Sequence, residues 1–162
     1  MAESTATPTT AELMEVVAAV TAAYVHDFAA AAARLGLTSA QAKALGAVRE
    51  PVPMRALAGR LGCDASNVTG IVDRLEARGL ARRQAAEADR RVKIVVTTEE
   101  GCEALRGIQS EMHRARQAFD ALDADQRNVL YALCGKLLPL LSAPDREPGA
   151  RTVQPQAPAD SC

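Results

Sequence analysis

Apolar residues recur at helical spacing along most of this chain and alternate in one short region. Leu13, Val16, Val17, Val20, Tyr24, Phe28 and Leu35 fall along one side of a helix predicted from Glu12 to Leu35. Ser39 is placed to cap a shorter helix that carries Ala42, Leu45 and Val48 and ends before Pro51. Leu57, Ala58 and Leu61 give the inner face of a helix near Arg55 to Leu61, and only Gly62 and Cys63 separate it from the next. That next helix has Asp64 as its expected N-cap, runs to about Arg78 and stops at Gly79, a natural left-handed position. Its apolar stripe is Val68, Ile71, Val72 and Leu75. Leu80–Gln84 and Val92–Val96 then read as strands, with Val92, Ile94 and Val96 sharing a face by period-two alternation. Thr98, or Thr97 with Glu100 as a capping box, opens a helix with Leu105, Ile108, Met112, Ala115 and Phe119 at coiled-coil-like 3-4-3-4 spacing. Asp123 with Gln126 opens the last helix, which carries Leu130, Leu133, Leu137 and Leu141 and which Pro139 should end or kink.

Two short helices across a tight turn, followed by a hairpin, make a helix-turn-helix with a wing. The fold class is mostly α with a small β-hairpin. The second helix of the pair sets Ser66, Asn67, Thr69, Gly70, Asp73 and Arg74 on or near the side away from its apolar stripe. Small polar residues at its N-terminal end suit a helix entering a major groove, where backbone must come close to base edges. Taken alone, an ordinary amphipathic surface helix would look the same.

Charge separates the two readings. The chain has a formal net charge of only -1, yet Arg82, Arg83, Arg90, Arg91 and Lys93 cluster in and around the hairpin, whose polar connection AAEADRR is longer than a tight turn. The local cluster, directly after a helix of recognition type, favours duplex DNA over a merely solvated charge run.

LAGRLG, then NVTGIVDRLEARGL, then DRR at the wing tip and TEEG opening the next helix resemble, in that order and spacing, the MarR family of winged-helix transcription regulators. The resemblance covers roughly Ala11 to Leu141, with a DNA-binding core about 39–97. It implies an obligate homodimer on pseudo-palindromic operator DNA. It further implies Ser66, Asn67 and Thr69 at bases or nearby phosphates, Arg74 on the backbone, Arg90 in the minor groove, Arg82 and Arg91 among the wing contacts, and Asp89 bracing the wing arginines. One departure is Gly70, where many members carry an arginine or another long side chain, so one direct base contact drops out. A helical glycine costs on the order of 1 kcal/mol against alanine, which argues that close approach or packing keeps position 70 small.

At 162 residues the chain fits one domain, or one domain with dimerisation extensions. Its 48% hydrophobic content is largely aliphatic, with two Tyr, two Phe and no Trp, so the expected core is Ala, Leu and Val in closely packed helices. The first helix and the last two exceed what a small winged helix needs, and their apolar stripes ask for a partner chain; an intramolecular bundle is the competing arrangement. Residues 1–10 are Thr/Ala/Pro-rich and residues 142–162 Pro-rich, and both ends are expected to be disordered. No apolar run approaches the ~20 residues that span a bilayer, and no basic start or apolar h-region marks a signal peptide, so a cytoplasmic protein is expected.

Other chemistry finds little footing. Cys63, Cys102, Cys134 and Cys162 lack CxxC spacing, and only His26 and His113 could join them, which disfavours a metal site. Cys63, beside the start of the recognition helix, is the one position where a thiol switch could be built, whereas Cys102 and Cys134 read as core. Peroxide-sensing members of the family place their reactive cysteine in the first long helix, where this chain has none. Without a phosphate loop, nucleophile elbow or metal cluster, an enzyme is not expected, and no cofactor is called for. A winged helix used only for protein–protein contact would not need arginines at its tip. The resemblance implies a small-molecule pocket between the dimerisation helices and the DNA-binding lobe, with Tyr24, His26, Phe28, Arg34 and His113 as candidate liners and an unidentified, often lipophilic, ligand.

Overall fold

The computed structural model describes residues 7–86 and 89–142. Of the ends expected to be disordered, 1–10 and 142–162, residues 1–6 and 143–162, with Cys162, lie outside the described residues, as do positions 87–88 of the wing connection. Thr9 is a helix cap and Thr10 and Ser142 are helical, which corrects the expected boundaries. The chain forms two compact units that divide between Ala121 and Leu122. The first holds α1 (Thr10–Arg34), α2 (Ser39–Ala47), β1 (Val52–Pro53), α3 (Met54–Leu61), α4 (Ala65–Ala77), β2 (Ala81–Ala85), β3 (Lys93–Thr97), α5 (Glu99–Glu111) and α6 (His113–Asp120). The second holds α7 (Ala124–Ser142).

Threonines open several of these helices. Thr9 caps α1 in a reciprocal box with Glu12, so the helix starts two residues before the expected Glu12. The Thr9 amide and hydroxyl both donate to the Glu12 carboxylate, and these bonds hold its carboxyl below the ordinary carboxylate range. Thr38, and not the expected Ser39, caps α2; its box partner is Gln41, which puts Ser39 at the first helical position. Thr98 caps α5 through the Gly101 amide at 3.1 Å, as expected. Asp123 and Gln126 close a reciprocal box before α7, and the helix runs past Pro139 to Ser142 without ending there.

The core of the first unit is aliphatic. Leu45, Val48, Val52, Leu57, Val68, Val72, Leu75, Val95 and Ile108 are its largest fully buried side chains. The stripe expected on α4 is buried in full, with Ile71 at 5%. The sheet has three strands, not two, in the order β1-β3-β2, all neighbours antiparallel. The strands of the hairpin start one residue later than expected, and the most deeply buried residue of β3 is Val95, on the face opposite to the expected one. Val95 is fully buried; of the expected face Val96 is buried, at 9% exposure, while Val92 and Ile94 are only half-buried. β3 is the middle strand, and Val95 pairs with Val52 on one side and Arg83 on the other, so tertiary cover decides which face goes inward.

The long helix expected after Thr98 is broken. Met112 has φ -76° and ψ 66°, which ends α5 and lets α6 begin. Asp27 of α1, itself buried, accepts from the Ala115 amide at 2.9 Å and so caps α6 from a distant part of the chain. Leu105, Ile108 and Met112 are buried in this unit's own core, so the seam is internal along that length; only Phe119 near its end is exposed.

The expectation that no apolar stretch approaches membrane-spanning length is corrected by α1, whose 25 residues are long and apolar enough by length and composition to cross one. Its run of alanines and valines makes it so, and two of those alanines serve the folded core. Ala31 and Ala32 are fully buried beside Asp27.

Candidate nucleic-acid interface

The helix expected to meet DNA is α4, which follows α3 across a left-handed Gly62 (φ 62°) and Cys63. Asp64 takes the extended N-cap conformation but makes no side-chain cap hydrogen bond. Ser66, Asn67, Thr69 and Arg74 are all exposed. Among them only Thr69 is used internally, its hydroxyl donating to the Ala65 carbonyl at 3.0 Å. A Cβ built on Gly70 would meet nothing within 4 Å, so packing within this chain does not require glycine there.

The arginines of the hairpin divide into two groups. Arg83 belongs to the fold: its guanidinium pairs with Asp73 at 2.7 Å and with Glu76, and donates to the Thr69 carbonyl at 3.2 Å. This fixes β2 against the outer side of α4. The sequence carries the signal, since Asp73 and Glu76 stand three apart on one helix face, but Arg83 reads there as part of the basic cluster. Arg82, Arg90 and Arg91 are exposed and, like Arg74, make no ion pair among the described residues. Asp89 contacts the backbone of the tip: its carboxylate accepts from the Arg91 amide at 2.9 Å and its carbonyl from the Val92 amide at 2.9 Å. The surface thus combines a polar helix start, of which only Thr69 makes an internal side-chain contact, with cations that no carboxylate among the described residues pairs.

A cavity of about 420 Å³ lies between α1 and α6, with Val20, Tyr24, His26, Arg114, Ala118 and Phe119 on its walls. Of the expected liners, Tyr24 and His26 are on it, whereas Phe28, Arg34 and His113 are not. Phe28 packs against the core. Arg34 is occupied by Glu111, meeting its carboxylate at 2.7 Å and also its carbonyl, and His113 lies 3.4 Å from the same carboxylate. Arg114 carries no signal in the sequence, where the apolar period runs unbroken from α5 into α6; the break at Met112 resets which residues face α1.

Cys63 is half-buried against the core, while Cys102 and Cys134 are exposed, correcting their reading as core residues. Helical spacing alone placed them beside apolar neighbours. Among the described residues no group of three or more His, Cys, Asp or Glu is arranged to hold a metal ion.

Residues 37–93 match the MarR family. The transcriptional repressor MprA of Escherichia coli is 33% identical over 88 residues, covering 54% of this chain and 50% of that protein. The chain spans about half the length of the curated relatives it matches. Among solved structures, CouR of Rhodococcus jostii bound to p-coumaroyl-CoA is similar with a TM-score of 0.66 and 24% identity, over 84% of this chain and 96% of that one. A cysteine-to-serine mutant of MarR from Escherichia coli complexed with operator DNA is similar with a TM-score of 0.58 and 24% identity, over 78% and 94%. At these identities the likeness of structure establishes the fold.

Proposed function

We propose that this chain, whose residues 37–93 match the MarR family, is a DNA-binding transcription regulator of the cytoplasm. It acts as a homodimer on a pseudo-palindromic operator and represses until a small molecule releases it. The observation that carries the reading is the division of the arginines: Arg83 is spent on holding the hairpin to α4, while Arg74, Arg82, Arg90 and Arg91 make no ion pair among the described residues. In a chain of net charge -1, such local positive charge matches a phosphate backbone. Ser66, Asn67 and Thr69 read bases or nearby phosphates, and Gly70 lets the helix backbone come close.

Release fits the cavity between α1 and α6, whose mostly apolar walls carry Arg114 and His26 as polar groups. A ligand there can shift the protein between DNA-competent and incompetent forms only by its differential affinity for them, typically ~1–3 kcal/mol, or roughly 5- to 150-fold in operator affinity. That MprA is a repressor, that MarR binds operator DNA and that CouR binds p-coumaroyl-CoA support this reading by kinship.

In vitro selection from a random duplex pool tests it. The wild type should recover an inverted repeat with half-sites about one helical turn, ~34 Å, apart. Asn67→Ala should change the recovered sequence, whereas Arg90→Ala should weaken binding to all duplexes and flatten the salt dependence by about one unit. Recovery of no preferred sequence by the wild type would refute the reading.

A further inference from the structure

A second basic feature lies at the root of the hairpin and shares Arg91 with the residues assigned so far. β1 pairs with β3 with Val52 opposite Val95 and Pro53 opposite Ile94. α3 starts directly after β1, so this short ladder brings the first turn of α3 alongside the start of β3. Between them is a groove of about 330 Å³ lined by Pro53, Met54, Arg55, Arg91, Val92 and Lys93. Half of its lining residues are cationic. Arg55, Arg91 and Lys93 are exposed and make no ion pair among the described residues. The first turn of α3 contains no acidic residue, and the Asp89 carboxylate, which accepts from the Arg91 amide, makes no ion pair among the described residues.

Three like charges gathered in one concavity repel one another within a Debye length of about 8 Å, and no carboxylate among the described residues pairs with them. Two planar guanidinium groups and an ammonium around one hollow match the oxygens of a phosphate group. Because Arg91 borders both this groove and the hairpin tip, a strand followed by the tip passes the groove. The geometry points to Arg55, Arg91 and Lys93 as a backbone-phosphate clamp at the wing root, which grips DNA without reading sequence. This rests on the regulator reading above. Arg55 is the new residue, visible only once β1 is known to belong to the sheet.

The test uses the full chain and a 30-bp duplex recovered by selection with the wild type. Arg55→Ala and, separately, Lys93→Ala should each make the plot of log affinity against log salt shallower by about 0.9 for every groove engaged. The sequence preferred on reselection should not change, and Arg55→Lys should keep the wild-type slope. Both positions are exposed, and equal melting temperatures will verify that the variants fold. Unchanged slopes in both alanine variants, with Asn67→Ala still altering preference, would overturn the clamp and leave the regulator reading intact. A changed consensus for Arg55→Ala would overturn it in favour of base reading. Stabilisation of the wild type but not of Arg55→Ala by inorganic phosphate, with unchanged DNA slopes, would mark a free-anion site and also overturn it. Failure of the wild type to select any duplex would remove both readings together.

Discussion

A Cβ built on Gly70 meets open space, whereas one on Gly101 would overlap the Leu80 carbonyl oxygen and come within 2.6 Å of Thr97 Cγ2. These two glycines answer to different demands. Gly101 sits where the Thr98 cap, whose hydroxyl donates to the Gly79 carbonyl at 2.6 Å, presses the start of α5 against the end of α4. Gly101→Ala should cost about 1–3 kcal/mol through overpacking, read as a lowered melting temperature. Gly70→Ala should do the reverse, raising stability by about 1 kcal/mol because alanine is the better helix former. If the backbone at position 70 approaches DNA closely, the same variant should bind its selected duplex more weakly. A stabler protein with unchanged affinity would show that glycine there serves neither folding nor binding.

Among the elements, α6 depends most on a contact remote in sequence. Its cap comes from Asp27, 88 positions before Ala115. Asp27→Ala should remove that acceptor and destabilise the unit by about 0.5–2 kcal/mol, the usual cost of losing a cap. Asp27→Asn, which keeps an acceptor oxygen, should lose less, and chemical denaturation of both variants will compare them. The dependence on Asp27 explains why the break at Met112 was not legible in the sequence, where Leu105 to Phe119 has an unbroken period. β1 was hidden for a related reason: two residues, one of them proline, have no periodicity to detect. Val95 could not be told from its alternating neighbours until the third strand and the helices covered one face. By contrast α4, with its stripe, Asp64 start and left-handed Gly79 stop (φ 68°), was legible because every signal is local. The same holds for the exposed polar residues of α4 and for the arginines as a group. Which arginine the fold keeps for itself was not legible, since that depends on the register between β2 and α4.

At the scale of the whole molecule the apolar faces still ask for cover. On α1, Leu13, Val16, Val17 and Val20 are each at least half exposed. In the second unit, α7 shows Leu133, Leu137, Leu138, Leu140 and Leu141 to solvent. Leaving such area in water forgoes about 25 cal/mol per Å², and contiguous exposed apolar surface commonly marks an interface. Sedimentation equilibrium at micromolar concentration should therefore give twice the 17.1 kDa chain mass. Val17→Glu, at a position the core does not use, should shift the population toward monomer without melting it. A wild type that sediments as a monomer would remove the homodimer from the proposed function.

The hold of Arg83 on Asp73, Glu76 and the Thr69 carbonyl has an evolutionary consequence. It secures α4 by its later turns and leaves Ser66 and Asn67, at its start, with no side-chain hydrogen bond or ion pair among the described residues. Substitutions at those two positions are therefore nearly free of folding cost, so the preferred site can drift while the scaffold keeps its melting temperature. A library varied at positions 66 and 67 should contain mostly folded proteins with divergent tastes in DNA, whereas one varied at position 83 should be thinned by misfolding before selection on any operator begins.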